Sequence, residues 1–108
     1  MASANLKTFT DPDFEAEVLR SPLPVLVHFA ASWCGPCKAL SPIVERIADD
    51  FAGKIKVGKL DIDDAPETAR KYNVRSVPTC IVFQNGEKRG TQAGLTNRET
   101  LLKLLGLA

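Results

Sequence analysis

The chain is poor in most of the features that mark a specialised surface or a fibre. It holds one Trp, one Tyr, one Met and one His in 108 residues. Neither sign of charge dominates: Lys and Arg total 14 against 13 Asp and Glu, a formal net charge of +1. Nothing in that balance draws the chain to nucleic acid or to an acidic membrane surface. Seven Gly and seven Pro are too few for a collagen-like repeat or a low-complexity chain. The longest stretch free of Asp, Glu, Lys and Arg runs from Ser21 to Cys37 and is broken by Pro22, Pro24, Gly35 and Pro36. It falls short of the ~20 apolar residues that span a bilayer. Residues 1–7 lack a basic region followed by an apolar stretch, so a cytoplasmic location is expected, although a mature organellar protein would share this feature. The chain has three cysteines, an odd number. Disulfide frameworks use even numbers, so these thiols read as catalytic or metal-binding.

What remains is the composition of one globular domain over residues 1–108, with 44% hydrophobic and 25% charged residues. Leu6–Phe9 reads as a first strand. Asp11 reads as the cap of a helix with Pro12 in its first turn and Phe14, Val18 and Leu19 on its apolar side. Val25–Phe29 is nearly all apolar, as in a strand covered on both faces. Cys37, Leu40, Val44, Ile47 and Phe51 repeat at helical spacing, so a helix is expected from about Cys34 to Phe51, kinked at Pro42 and ended by Gly53. Ile55–Ile62 is a strand. Asp64-Ala-Pro-Glu67 opens a short helix that closes near Tyr72. Thr79–Phe83 and about Lys88–Ala93 are strands joined by the hairpin signal Asn85-Gly86. Thr96-Asn-Arg-Glu99 reads as a capping box before a last, leucine-rich helix. The order β-α-β-α-β-α-β-β-α gives an α/β fold. Its mixed central sheet has about five strands and about four flanking helices, with parallel crossovers and a reversal at Asn85-Gly86.

Chemistry concentrates in Trp33-Cys34-Gly35-Pro36-Cys37, at the junction of a buried strand and a helix. A helix N-terminus offers unpaired N–H groups and roughly half a positive charge, and both stabilise a thiolate. The thiolate is the nucleophile in disulfide exchange. Cys37 lies one turn further on and opens the apolar stripe, so Cys34 is expected to be reachable and Cys37 shielded. The spacing suits a two-step exchange in which Cys34 attacks and Cys37 resolves. Two structural thiols, or half of a zinc site, are the alternatives; no second C-x-x-C is present to complete the latter. A binding module in which the cysteines are dispensable is the rival from another class.

These residues resemble the thioredoxin family, and the likeness extends over essentially the whole chain. It is carried by Phe29, Trp33-Cys-Gly-Pro-Cys37, Pro42, Lys59-Leu-Asp-Ile-Asp63, Tyr72, Val77-Pro-Thr79, Phe83, Asn85-Gly86 and Gly94. The resemblance implies a protein-disulfide reductase. It implies a cis proline at Pro78 beside the cysteines, and a docking surface of Trp33, Gly35, Pro36, Val77, Pro78 and Gly94. It also implies disulfide-containing client proteins and a flavoprotein thioredoxin reductase, NADPH- or ferredoxin-linked, as partners. A monomer is the default. No phosphate-binding glycine loop is present, so no cofactor is expected.

Three positions stand apart. His28 occupies the place where most thioredoxins carry a buried aspartate that helps deprotonate the resolving cysteine. It reads either as a packed neutral histidine or as the base for Cys37, with Lys59 favouring the neutral ring by like charge. Removal of a buried anion predicts a more acidic Cys34 and a less reducing couple. Ala30 stands where many relatives carry an aromatic residue. Cys80 reads as a small buried hydrophobe; the alternative is a metal cluster of Cys34, Cys37, Cys80 and His28.

Overall fold

Six consecutive buried residues, Val25–Ala30, form the central strand of the sheet. A computed structural model describes residues 3–107. The strands are β1 (Leu6–Phe9), β2 (Val25–Ala30), β3 (Lys56–Asp61), β4 (Thr79–Gln84) and β5 (Glu87–Ala93). The helices are α1 (Gly35–Asp50), α2 (Pro66–Lys71) and α3 (Arg98–Leu104), with a short helical segment at Glu15–Leu19. The strands lie in the order β1-β3-β2-β4-β5. β2 therefore has a neighbour on each side and a layer on each face, which accounts for its apolar run.

Strand alternation sorts the core into two layers. Val25, Val27 and Phe29 pack with Phe9, Phe14, Val18 and Phe83 under the Glu15–Leu19 segment. Leu26 packs on the other face with Leu40, Val44 and Ile47 of α1 and Leu101 of α3. The expected stripe of α1 is the buried one, except that Phe51 is only partly covered. By the same alternation His28 and Ala30 fall on the α1 side.

The sheet reverses earlier than the hairpin signal implied. β1, β3 and β2 are mutually parallel neighbours, but β4 is already antiparallel to β2, and β5 to β4. Val77, just before β4, packs beside the cysteines. β4 thus starts at the end where β3 stops and runs back. Asn85 and Gly86 then make the expected tight turn, both with positive φ (54° and 79°).

Two caps differ from expectation. Asp11 does not cap the segment that follows it. Its carboxylate instead accepts hydrogen bonds from the N–H groups of Glu67 (3.2 Å) and Thr68 (2.8 Å) and from the Thr68 hydroxyl (2.6 Å). It therefore caps α2 from 57 residues away in sequence, because Ala65 at that helix start has no side-chain acceptor. At α3 the cap is Asn97, whose side-chain oxygen accepts the Thr100 N–H at 2.8 Å. The helix starts one residue later than a Thr96 cap requires. Glu99 is then out of register for a capping box and reaches Lys103 instead, at 3.4 Å. The Asp11 contacts, the Thr68 side-chain bond first, hold its carboxyl below the usual aspartate range. Asp11→Ala is expected to speed solvent exchange of the Glu67 and Thr68 amides and to lower the urea midpoint. Hydrogen-exchange mass spectrometry across residues 61–75 checks this; unchanged α2 protection would refute the cap.

Candidate active site

The sharp turn Ala31-Ser32-Trp33 carries the chain from the end of β2 into α1, closed by the Cys34 N–H donating to the Ala31 carbonyl at 3.1 Å. Cys34 is the N-cap of α1, with extended backbone (φ −92°, ψ 111°). Its sulfur accepts the Cys37 N–H at 3.1 Å. Pro36 sits in the first turn, where no intrahelical donor is lost. One of the free N–H groups of the helix start is thus aimed at Cys34 Sγ, the arrangement that favours negative charge there.

Cys34 and Cys37 are joined as a disulfide, with Cα atoms 5.3 Å apart. The expected contrast in exposure is absent in this state. Cys34 is 4% exposed and Cys37 3%. Ala30, Ala31, Ile62 and Val77 pack around the pair. What projects is the rim. Trp33 is 67% exposed, held by its indole N–H to the Asp63 carboxylate at 2.9 Å. Gly35 and Pro36 are exposed beside it.

On the far side lies the Val77–Pro78 bond, which is cis. The Gly94 N–H donates to the Pro78 carbonyl at 2.8 Å, and Gly94 has φ +88° with open space where a side chain would be. Only glycine meets that backbone conformation without strain. Of the expected docking residues, Val77 packs against the disulfide, and Gly35 and Pro36 follow Cys34 in the first turn of α1. Leu95, next to Gly94 in sequence, is an exposed apolar side chain, 56% exposed. Sequence reasoning missed Leu95, and also Ile62 and Asp63 as individual contributors; the Lys59–Asp63 segment was the only signal for the latter two.

Behind the disulfide is a cavity of about 240 Å³ lined by His28, Ala30, Cys37, Ser41, Lys59 and Asp61, among others. His28 is 1% exposed and stands opposite Lys59 in β3 and Cys80 in β4. Burial, helped by the Lys59 ammonium, pushes the imidazole down to about 4. The ring is therefore neutral at pH 7. Among the described residues its Nε2 has no hydrogen-bond partner. Cys80 is buried among core side chains, and burial pushes its thiol up to about 12, so it is an inert thiol near neutrality. No group of three or more His, Cys, Asp or Glu among the described residues is arranged to hold a metal ion.

A bonded C-x-x-C pair at a helix start, flanked by a cis X-Pro bond, is now joined by a family match over residues 5–106 to the thioredoxin model. The chain belongs to the thioredoxin family. It is 50% identical to a thioredoxin of Rickettsia bellii over 94 residues, 87% of this chain and 90% of that one. It is 42% identical to a thioredoxin of Corynebacterium nephridii over 99 residues, 92% of each. It is 46% identical to a chloroplastic thioredoxin of Arabidopsis thaliana over 104 residues, 96% of this chain. This chain spans about half, 54%, of that plant relative's length. The activity of the thioredoxin family is thiol–disulfide exchange. The chain is a thiol–disulfide oxidoreductase, with Cys34 and Cys37 as its redox pair.

Proposed function

We propose that this single domain reduces disulfides in client proteins, with Cys34 as the attacking thiolate and Cys37 as the resolving thiol. The observation that carries the assignment of roles is the Cys37 N–H directed at Cys34 Sγ; no comparable donor serves Cys37 among the described residues. Cys34 thiolate attacks one sulfur of a client disulfide and forms a mixed disulfide, and the first client sulfur leaves as a thiolate. Cys37 then gives up its proton and attacks Cys34 Sγ. The Cys34–Cys37 bond forms, the bond to the client breaks, and the second client sulfur leaves as thiolate and takes a proton. Two electrons have passed from the protein dithiol to the client.

His28 is the proton acceptor for Cys37 in this reading. Both line the cavity, and a neutral imidazole has a free lone pair where an imidazolium has none. Lys59 tunes the ring rather than reacting. Trp33, Gly35, Pro36, Val77, Pro78 and Gly94 receive an extended client segment. The oxidised protein is returned to the dithiol by a thioredoxin reductase, NADPH- or ferredoxin-linked. We place the protein in the cytoplasm as a monomer; no helix among the described residues is long and apolar enough to cross a membrane.

The test is a redox titration against glutathione together with dithiothreitol-driven insulin reduction. The expected result is one two-electron couple and catalytic acceleration of insulin precipitation. A protein that equilibrates with glutathione but never accelerates insulin reduction is no reductase of protein disulfides.

A further inference from the structure

Two surface grooves of about 340 Å³ each adjoin after α2, where they share Asn73, Val74 and Arg75. The first groove also has Ile62 on its wall, a side chain that packs against the cluster of Ala30, Ala31, Cys34 and Cys37. The second lies over the β4–β5 ladder, where Thr79 pairs with Ala93 and Ile81 with Thr91. Thr79 follows the cis Pro78, and Ala93 precedes Gly94. Each groove thus reaches the redox site by a different residue set: Ile62 in one, the neighbours of Pro78 and Gly94 in the other.

The charged side chains on these walls are all of one sign. Arg70 lines the first groove, Lys88 the second and Arg75 both, and no carboxylate lines either. All three cations are exposed, and none forms an ion pair among the described residues. Asp63, Asp64 and Glu67, close by in sequence, lie outside both linings. Asp11 is near Arg70, but its oxygens are engaged in capping α2. Arg75 is also positioned. Its Nε donates to Asn73 Oδ1 at 3.1 Å, and Asn73 has φ 60°, a left-handed conformation in which Asn is enriched. That contact leaves the terminal N–H groups of the guanidinium for a carboxylate. In a chain of net charge +1, this run of cations without counter-charge is a local feature, not a by-product of overall charge.

From this placement we infer that the joined grooves receive an acidic segment of a client protein, so that disulfides flanked by Asp or Glu are reduced in preference to others. The inference rests on the reading of the chain as a reductase of protein disulfides and names its preferred substrate class. A polypeptide fits better than a free anion, because Ile62, Ala69 and Val74 give the first groove apolar walls and both grooves lead to where the client disulfide reacts. The cations speed encounter and hold the segment; they leave the exchange at Cys34 itself unaltered.

The experiment uses three disulfide-bonded peptides that differ only in the residues flanking one cysteine: Asp, Ser or Lys. Stopped flow gives the rate constant with which the reduced protein attacks each. Each value is divided by that for dithiothreitol, a dithiol with no cation, to remove the peptide's own reactivity. Wild type is expected to prefer Asp over Ser and Ser over Lys, with the spread shrinking as salt rises to about 0.5 M. The triple variant Arg70→Gln, Arg75→Gln, Lys88→Gln is expected to lose roughly tenfold on the Asp peptide relative to the Ser peptide, the sum of three modest surface attractions. Arg75→Glu is expected to move the preference toward the Lys peptide. Equal normalised rates on all three peptides, or a preference that salt does not weaken, overturn the inference and leave the reductase reading standing. So does a triple variant that keeps the wild-type preference. Sedimentation velocity on the same samples covers the other occupant: a wild-type dimer abolished in the triple variant would put a second copy in the grooves and overturn the client assignment. A wild type that reduces none of the peptides overturns the reductase reading and this inference together.

Discussion

Cys34→Ser is expected to reduce no insulin above background, whereas Cys37→Ser is expected to attack client disulfides once and stall as a mixed disulfide. The two outcomes differ because the two sulfurs sit differently at the start of α1. Cys34 Sγ receives the Cys37 N–H at the positive end of a 16-residue helix, and that position favours a thiolate. A serine hydroxyl there stays protonated, and loss of a covalent nucleophile removes on the order of a thousandfold or more of the rate. The backbone donor at Cys34 does not depend on the Cys37 side chain, so Cys37→Ser leaves the attacking thiolate stabilised. It removes only the group that releases the client. Incubation of each variant with a disulfide-bonded client, followed by mass spectrometry without reductant, reads the result. A stable adduct on Cys37→Ser and none on Cys34→Ser supports the assignment. The reverse pattern would exchange the roles. The double serine variant, if it retained full function in place of the wild type, would make the protein a binding module.

Much of this was legible in the sequence, because it depends on local rules. The apolar stripe from Cys37 to Phe51 defined α1 and, apart from the partly covered Phe51, its buried face. Val25–Phe29 announced a strand with both faces covered, and Asn85-Gly86 announced the turn that both residues make with positive φ. The C-x-x-C pair at a helix start carried the chemistry, and the family likeness added Pro78 and Gly94. What was not legible depends on long-range partners. Asp11 looked like a cap for the segment beside it, but the donors it meets belong to α2, which only the fold brings within reach. The early reversal of the sheet had no turn signal; it goes with the placement of Val77, just before β4, beside the cysteines. The burial of Cys34 follows from Ala30, Ala31, Ile62 and Val77, which the fold packs around the pair and spacing does not specify. His28 was visible as a departure from the family pattern. Its unpartnered Nε2 was not, since that follows from what surrounds it: Lys59 and Cys80 on the flanking strands and a disulfide sulfur in the same cavity.

The disulfide form of the protein is expected to lose stability as pH falls from about 6.5 to about 4, and His28 is the cause. Its folded pKa is depressed from 6.5 to about 4, first by burial and then by Lys59. In that window the unfolded chain binds a proton that the folded one refuses. Protonation therefore pulls the equilibrium toward the unfolded state, and stability that is complete above the unfolded pKa drains away as pH drops through the gap. A gap of that width corresponds to about 3 kcal/mol, against a usual total of about 5–15 kcal/mol. Two carboxyls, Asp11 and Asp49, are also held below the ordinary aspartate value of 3.8, so their contributions are lost at lower pH and leave the window to the histidine. Urea unfolding of wild type and His28→Leu at several pH values between 4 and 8 isolates the effect. The difference in unfolding free energy is expected to be constant above pH 7 and to shift by about 3 kcal/mol against wild type by pH 4. Lys59→Met is expected to raise the folded His28 pKa slightly and so to shrink that loss of stability, because it removes the lesser of the two causes. A wild-type-minus-variant difference that stays flat down to pH 4 would mean that the ring meets a hydrogen-bond partner or solvent in its charged form, and would remove the physical basis for a neutral His28 beside Cys37.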